Sequence, residues 1–138
     1  MKESRNLSVD RDRTNIIIQD SSFDSDSCTL ALHLKNTGSR SITSLKSMDL
    51  IIQLKGANAS VLIPNYIESS SVLSKGGWKI PSFGDLEFEP GILNPGEIVE
   101  IQTRLDIPVP GETIGRTMVV TPNGVSAERQ LGSLQTPC

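Results

Sequence analysis

Any nucleophilic, acid–base or metal chemistry in this chain would have to start from one histidine, His33, and two cysteines, Cys28 and Cys138. His33 stands between Leu32 and Leu34, on the polar face of an alternating segment, and is expected to be a solvated side chain. A Ser-His-Asp relay needs the imidazole beside a nucleophile. Serines are many, but none occupies a G-x-S-x-G elbow. A metal site built on His and Cys would combine a single imidazole with cysteines far apart in sequence, unlike the close ligand spacings of zinc sites. Asp20, Asp24 and Asp26 crowd one polar stretch, with Asp10 and Asp12 upstream. Carboxylates grouped on a loop can hold Ca2+. The spacing lacks the D-x-[DN]-x-[DN]-G pattern with its distal Glu, so a solvated acidic hairpin is expected. Gly76-Gly77 lacks the Lys-Ser/Thr and the following helix of a phosphate cradle. These residues predict no catalytic group, no metal and no cofactor, hence a non-enzymatic protein.

The cysteines allow one bridge, which is not a disulfide framework. Free Cys is among the most buried residue types, so a free, core-facing Cys28 is the expectation, with Cys138, the last residue, as a tail thiol. If oxidised, the pair could bridge, or Cys138 could join two chains. Two glycosylation sequons are present, Asn6-Leu7-Ser8 and Asn58-Ala59-Ser60. They matter only in an extracellular setting, and Asn58, between two strand patterns, is the better acceptor.

The elements that must carry these residues are strands. Cys28, Leu30, Leu32 and Leu34 alternate with Thr29, Ala31, His33 and Lys35, and period two sends the first set to a core face. Met48, Leu50, Ile52 and Leu54 repeat the pattern, as do Val99, Ile101, Thr103 and Leu105. Thr14 to Gln19 is a strand with the β-branched run Ile16, Ile17, Ile18, and Asp20 to Ser27 supplies turn formers. Val61, Ile63, Tyr66 and Ile67 suggest a less regular strand around Pro64. Leu86 and Phe88 alternate with Glu87 and Glu89. Met118 and Val120 are expected inward, with Val119 outward, followed by a type I′ hairpin at Asn123-Gly124 and a last strand from Val125 to Leu131. Gly38 and the Asn94-Pro95-Gly96-Glu97 segment end or open strands, Gly38 being free to take positive φ. The pattern predicts an all-β, antiparallel, immunoglobulin-like β-sandwich of about seven to eight strands. It occupies one domain over residues 14–138, with a polar stub at 1–13 and a frayed tail at 133–138.

Composition narrows the function further. The net charge is −3 and basic residues are scattered, so no nucleic-acid surface is expected. No apolar run exceeds three residues, which excludes a transmembrane helix within this sequence. A sandwich without chemistry works by presenting surface, through edge strands or through apolar residues on a polar face. Ile51 and Val119 are the residues predicted to interrupt the polar faces, and are the candidate partner-binding positions.

Three segments, in order, carry a family resemblance: Lys35-Asn36-Thr37-Gly38-Ser39, Ile92-Leu93-Asn94-Pro95-Gly96-Glu97 and Val120-Thr121-Pro122-Asn123-Gly124-Val125. With Trp78 between them, they make the chain resemble the archaellin-like proteins of the archaeal motility machine, and best its accessory stator proteins of the FlaG/FlaF type. The likeness runs from about Thr14 to Val125. It implies a non-enzymatic domain outside the cytoplasmic membrane, at the pseudo-periplasmic space or cell surface, anchored by an N-terminal apolar helix that this sequence lacks. Met1 to Arg13 would then be a stalk remnant. It implies stator or filament subunits as partners, the surface-layer protein as another, and homo-oligomers. The alternative is a secreted or anchored immunoglobulin-like adhesion module. A carbohydrate site in such a module would need exposed aromatics, which only Trp78 and Tyr66 could supply.

Overall fold

The computed structural model describes residues 13–24, 26–55, 61–67, 72–81, 92–105 and 113–135, with the side chains of 113 and 132–135 excepted. Among these residues nine strands form: β1 (Ile16–Asp24), β2 (Thr29–Asn36), β3 (Asp49–Lys55), β4 (Val61–Leu62), β5 (Asn65–Tyr66), β6 (Gly77–Lys79), β7 (Ile98–Arg104), β8 (Thr113–Val120) and β9 (Ser126–Gln135). They build two sheets, in the orders β1-β2-β7-β6-β5 and β4-β3-β8-β9. All pairs are antiparallel except β5 with β6. This is the immunoglobulin-like β-sandwich expected from the alternation. Among the described residues no helix is long and apolar enough to cross a membrane.

The core sits between the two inner faces. Leu30, Leu32, Leu34, Val99 and Ile101 come from one sheet, and Leu50, Ile52, Leu54, Ile114 and Val119 from the other. Burying each such side chain contributes about 1.5–3 kcal/mol, and the period-two pattern directs them all to one side. Trp78 joins them at 2% exposure, with Tyr66 edge-on at 5.0 Å. The aromatics that a carbohydrate site would need are thus committed to the core and its margin.

Several local expectations are corrected. β1 does not stop at Gln19: a register irregularity between Ile18 and Asp20 lets the strand continue to Asp24. The irregularity reverses the facing of the residues after it. Ile16 and Ile18 are buried before it, and Phe23 packs against the core after it. The segment around Pro64 is not one strand. It splits into β4 and β5, which belong to different sheets, and Val61 and Ile63 are exposed while Leu62 packs on the core. Cys28 is not a free thiol; it is disulfide-bonded, and Cys138 lies outside the described residues. So do Asn6, Asn58, Leu86 and Phe88.

The three turn segments are joined to one another and to the entry of β1. Asn36, last residue of β2, is fully buried. Its amide nitrogen donates to the carbonyls of Arg40 (2.8 Å) and Leu93 (2.9 Å), and its side-chain oxygen accepts from Gly38 N–H (2.9 Å). Its backbone pairs with Glu97 O and Gly96 N–H. Gly38 is required for space, not for positive φ. A Cβ there would lie 2.3 Å from Arg13 O and 2.6 Å from Asn15 N, because the chain entering β1 bonds to Thr37, Gly38 and Ser39. The hairpin before β9 is not type I′ either. Asn123 keeps negative φ and Gly124 alone takes +90°. Thr121 O accepts from Gly124 N–H at 2.9 Å, closing a turn with Pro122 in its second position.

Asn36→Ala strips two carbonyls and one N–H of their partners in a dry site and is expected to cost about 3 kcal/mol. Gly38→Ala forces a methyl against backbone that cannot rotate away and is expected to cost about 1–3 kcal/mol. Urea unfolding monitored by Trp78 fluorescence measures both. Changes below about 0.5 kcal/mol would show that this junction does not hold the fold.

Candidate functional site

Three strands of the first sheet bring together the acidic and basic groups that lie apart in sequence. His33 on β2 is the direct cross-strand partner of Asp20 on β1 and of Glu100 on β7. The imidazole Nδ1 hydrogen-bonds Asp20 Oδ1, and Nε2 lies 3.2 Å from Glu100 Oε1. Gln102 Nε2 donates to Glu100 Oε2 at 2.8 Å. All three side chains of the row are partly solvated, His33 being 39% exposed. The hydrogen bond to Asp20 raises the His33 pKa above 6.5. Partial burial opposes that rise, and the charges of Asp20 and Glu100 reinforce it.

A carboxylate on an imidazole is half of a nucleophile-activating relay. Here the second nitrogen meets another carboxylate where a relay would place a hydroxyl. Both ring nitrogens are engaged, so the imidazole offers no lone pair to a metal, and among the described residues no group of His, Cys, Asp and Glu could hold a metal ion. The row is a charge-pairing device across three strands. Asp24 and Asp26 stay at the hairpin, where Asp26 N–H donates to Asp24 Oδ1 at 3.0 Å. The expected acidic hairpin is therefore short, because Asp20 is drawn into the sheet.

The second sheet carries outward apolar residues that differ from those expected. Val119 is 1% exposed and lies in the core, opposite Ala127. It is thus not a surface position. A register irregularity between Ile114 and Arg116 sets the facing of β8 so that Thr117, Val119 and Thr121 point inward. Met118 and Val120 point outward, the reverse of the simple alternation. Ile51 does face outward and is half-buried, because its direct partner across the ladder is Met118. Beside this pair Arg116 Nη1 donates to Glu128 Oε2 at 2.9 Å. The outer face thus presents Ile51, Met118 and Val120 within a charged frame, with Val61 at its margin opposite Gln53. Met118 is legible as an apolar residue that simple alternation sends to the core, and the bulge that turns it outward falls at Gly115, the one sign of it in the sequence.

The edges are managed differently at the two sides. β1 and β9 run alongside one another, and Arg129 of β9 donates to Ser21 Oγ (3.2 Å) and to Gln19 O (3.4 Å) of β1. At the other side the edge strands β4 and β5 are two residues each, too short to template a new strand.

The architecture has solved counterparts. The archaellum periplasmic stator protein FlaG from Sulfolobus acidocaldarius superimposes with a TM-score of 0.62 at 24% identity, over 86% of this chain and 99% of that one. This chain has the fold of an archaellum stator protein. The complex of FlaF and FlaG from the same organism aligns with a TM-score of 0.61 at 24% identity, over 84% of this chain and 87% of that one. The archaeal flagellin FlaB1 from Methanocaldococcus jannaschii aligns with a TM-score of 0.61 at 14% identity, over 88% and 90% of the two chains. No protein-family model and no curated protein sequence matches the chain. The shared fold agrees with the family resemblance carried by the three turn segments.

The raised pKa of His33 has a sign that can be checked. Protonation favours the folded state, so the contribution is complete below about pH 6.5 and is lost as pH rises through the higher native value. The His33 ring resonances are expected to titrate above 6.5, and Asp20→Asn is expected to bring them down. The melting temperature of the unaltered chain should fall more steeply than that of Asp20→Asn as pH rises above about 6.5. Equal slopes would show that the row is not formed in solution.

Proposed function

We propose that the chain is a non-enzymatic structural domain of the archaeal motility machine, a stator accessory acting outside the cytoplasmic membrane and anchored by an N-terminal helix beyond this sequence. The observation that carries this reading is the match of fold over nearly the whole length of a stator protein, 99% of that chain and 86% of this one. Its partners under this reading are other archaellum subunits, as in the FlaF and FlaG complex, together with the surface-layer protein and further copies of itself. Physical features support it. A stator must resist torque, and a sandwich whose strands are joined by hydrogen-bonded ladders within each sheet and tied at one end by Asn36 is stiff. The contact surface we assign to a subunit partner is the outer face of the second sheet, with Ile51 and Met118 at its centre. The apolar pair supplies the buried middle and the Arg116–Glu128 pair a polar rim.

Deletion of the gene in its host is expected to abolish swimming while leaving growth unchanged, and protease added to intact cells is expected to reach the domain. Normal swimming speed in the deletion strain would overturn the motility reading. For the surface, Ile51→Lys and Met118→Lys are each expected to weaken association with archaellum subunits at least about tenfold, through a desolvated charge. Their melting temperatures should stay near that of the unaltered chain. Val119→Lys, by contrast, is expected to unfold the domain, since its side chain has no route to water. Unchanged association for both surface variants, measured by analytical ultracentrifugation, would show that the partner uses another face.

A further inference from the structure

β1 is an edge strand, yet it is held from both sheets. Only β2 pairs with it, in a register that runs from Ile16 opposite Asn36 to Asp24 opposite Thr29. On its open side Arg129 of β9 donates to Gln19 O (3.4 Å) and Ser21 Oγ (3.2 Å), so side-chain bonds join the two sheets at mid-strand. Ahead of β1 the entering residues 13–15 are gripped from both layers. Arg13 O accepts from Ser39 N–H (3.0 Å), and Asn15 O accepts from Thr37 N–H (2.9 Å) and Gly38 N–H (3.1 Å). Asn123, in the turn between β8 and β9, donates to Thr14 Oγ1 at 3.0 Å, and Thr14 is buried.

The hydrogen bonds of such a strand resist force in one direction better than in another. Ladder bonds of an antiparallel pair lie perpendicular to the strands. Tension along the strand stretches them all together, whereas tension across it opens them singly from one end. Register fixes which residues share an end of the sandwich. Ile16, Asn36, Asp49 and Val120 lie at the end where the chain enters, and Asp24, Thr29, Lys55 and Thr113 lie at the opposite end. β9 runs in the same direction as β1, with Ser126 opposite Val120 at the entry end and Gln135 opposite Thr113 at the far end. A load drawn through the residues before Arg13 and resisted at the far end therefore runs lengthwise along β1.

We propose that β1 and its entry form a tension clamp, a load-bearing function separate from the Ile51–Met118 contact. A pull on the chain N-terminal to Arg13 loads the β1–β2 ladder in shear, and Asn123 and Arg129 pass part of that load to the second sheet. The irregularity after Ile18 does not interrupt the clamp, because pairing resumes at Asp20 opposite His33. The clamp needs no pocket, and it stands whether or not the chain serves in a motility machine.

The test holds the full chain in an optical trap by its N-terminus and by a cysteine placed at one of two exposed positions of β3, Asp49→Cys or Lys55→Cys. These positions stand at the entry end and the far end, about 20 Å apart along the strand. At one constant force, unfolding through Lys55→Cys is expected to be at least about tenfold slower than through Asp49→Cys, since more hydrogen bonds must break together. Equal rates, or faster unfolding through Lys55→Cys, would overturn the clamp. Arg129→Met, which keeps an apolar stem, is expected to speed unfolding through Lys55→Cys about fivefold and to leave the rate through Asp49→Cys within about twofold. A change of equal size in both directions, or in neither, would overturn the transfer of load to β9. Should Arg129→Met fail to fold, Ser21→Ala removes one acceptor of Arg129 and decides the same point.

Discussion

The buried amide of Asn36 is the constraint on which the rest of the sandwich depends. It ends β2, which lies beside the central strand β7 of the first sheet, and spends both side-chain N–H donors and its side-chain oxygen on backbone groups from two different turns. A fully buried amide is tolerated only when satisfied. The loops it serves are held to one geometry, because any other leaves polar groups dry and unpaired. Arg40 sits on the connection from β2 to β3, which leads into the second layer, and Leu93 on the segment that enters β7, with Ile42 and Leu93 pairing between the two segments. The entry of β1 is pressed against Gly38 on the other side of the same junction. Three turn segments that resemble a family in sequence are therefore one structural unit at one end of the domain. Asn123 extends it, donating to Thr14 Oγ1 at 3.0 Å beside the same entry strand.

From this anchored end the sheets diverge toward surfaces of different character. The outer face of the first sheet is polar, and its His33 row pairs charges across three strands. The exposure of these groups makes the row sensitive to salt and pH, so it adds modestly to stability and gives the face a fixed pattern of charge. The outer face of the second sheet is where apolar side chains lie among charges, the arrangement of a contact that forms and is held without a deep pocket. This distribution supports the surface role proposed for the domain. The imidazole and carboxylates of the His33 row pair with one another, while apolar residues outside the core include Ile51, Met118 and Val120 on the second sheet and Ile17 on the first.

Two register irregularities decide which residues reach those surfaces. The one in β1 carries Asp20 beside His33, and the one in β8 turns Met118 outward and Val119 inward. A single extra residue in one strand inverts every facing beyond it. The energetic reason for the β8 outcome lies in its neighbours. With Thr117, Val119 and Thr121 inward, Val119 meets Ala127 in the core, and the Thr121 hydroxyl bonds Asn123 at 2.5 Å. The opposite facing would bring Arg116 inward and separate it from Glu128.

By itself the sequence determined the β-sandwich, the inward faces of β2, β3 and β7, and the scarcity of catalytic groups, because period-two alternation and residue chemistry are local properties. It also placed Ile51 outward, since β3 keeps its alternation throughout, and it carried the turn segments that resemble archaellum proteins. What only the tertiary structure decided are the relations between distant residues. These are the His33 contacts with Asp20 and Glu100, the joining of two turns through Asn36 and of the third to the entry of β1 through Asn123, the disulfide at Cys28, the splitting of the Pro64 segment between two sheets, and the burial of Val119. Each depends on which strands become neighbours and in what register. Register is set by the summed packing of whole faces, and no short stretch of residues encodes it.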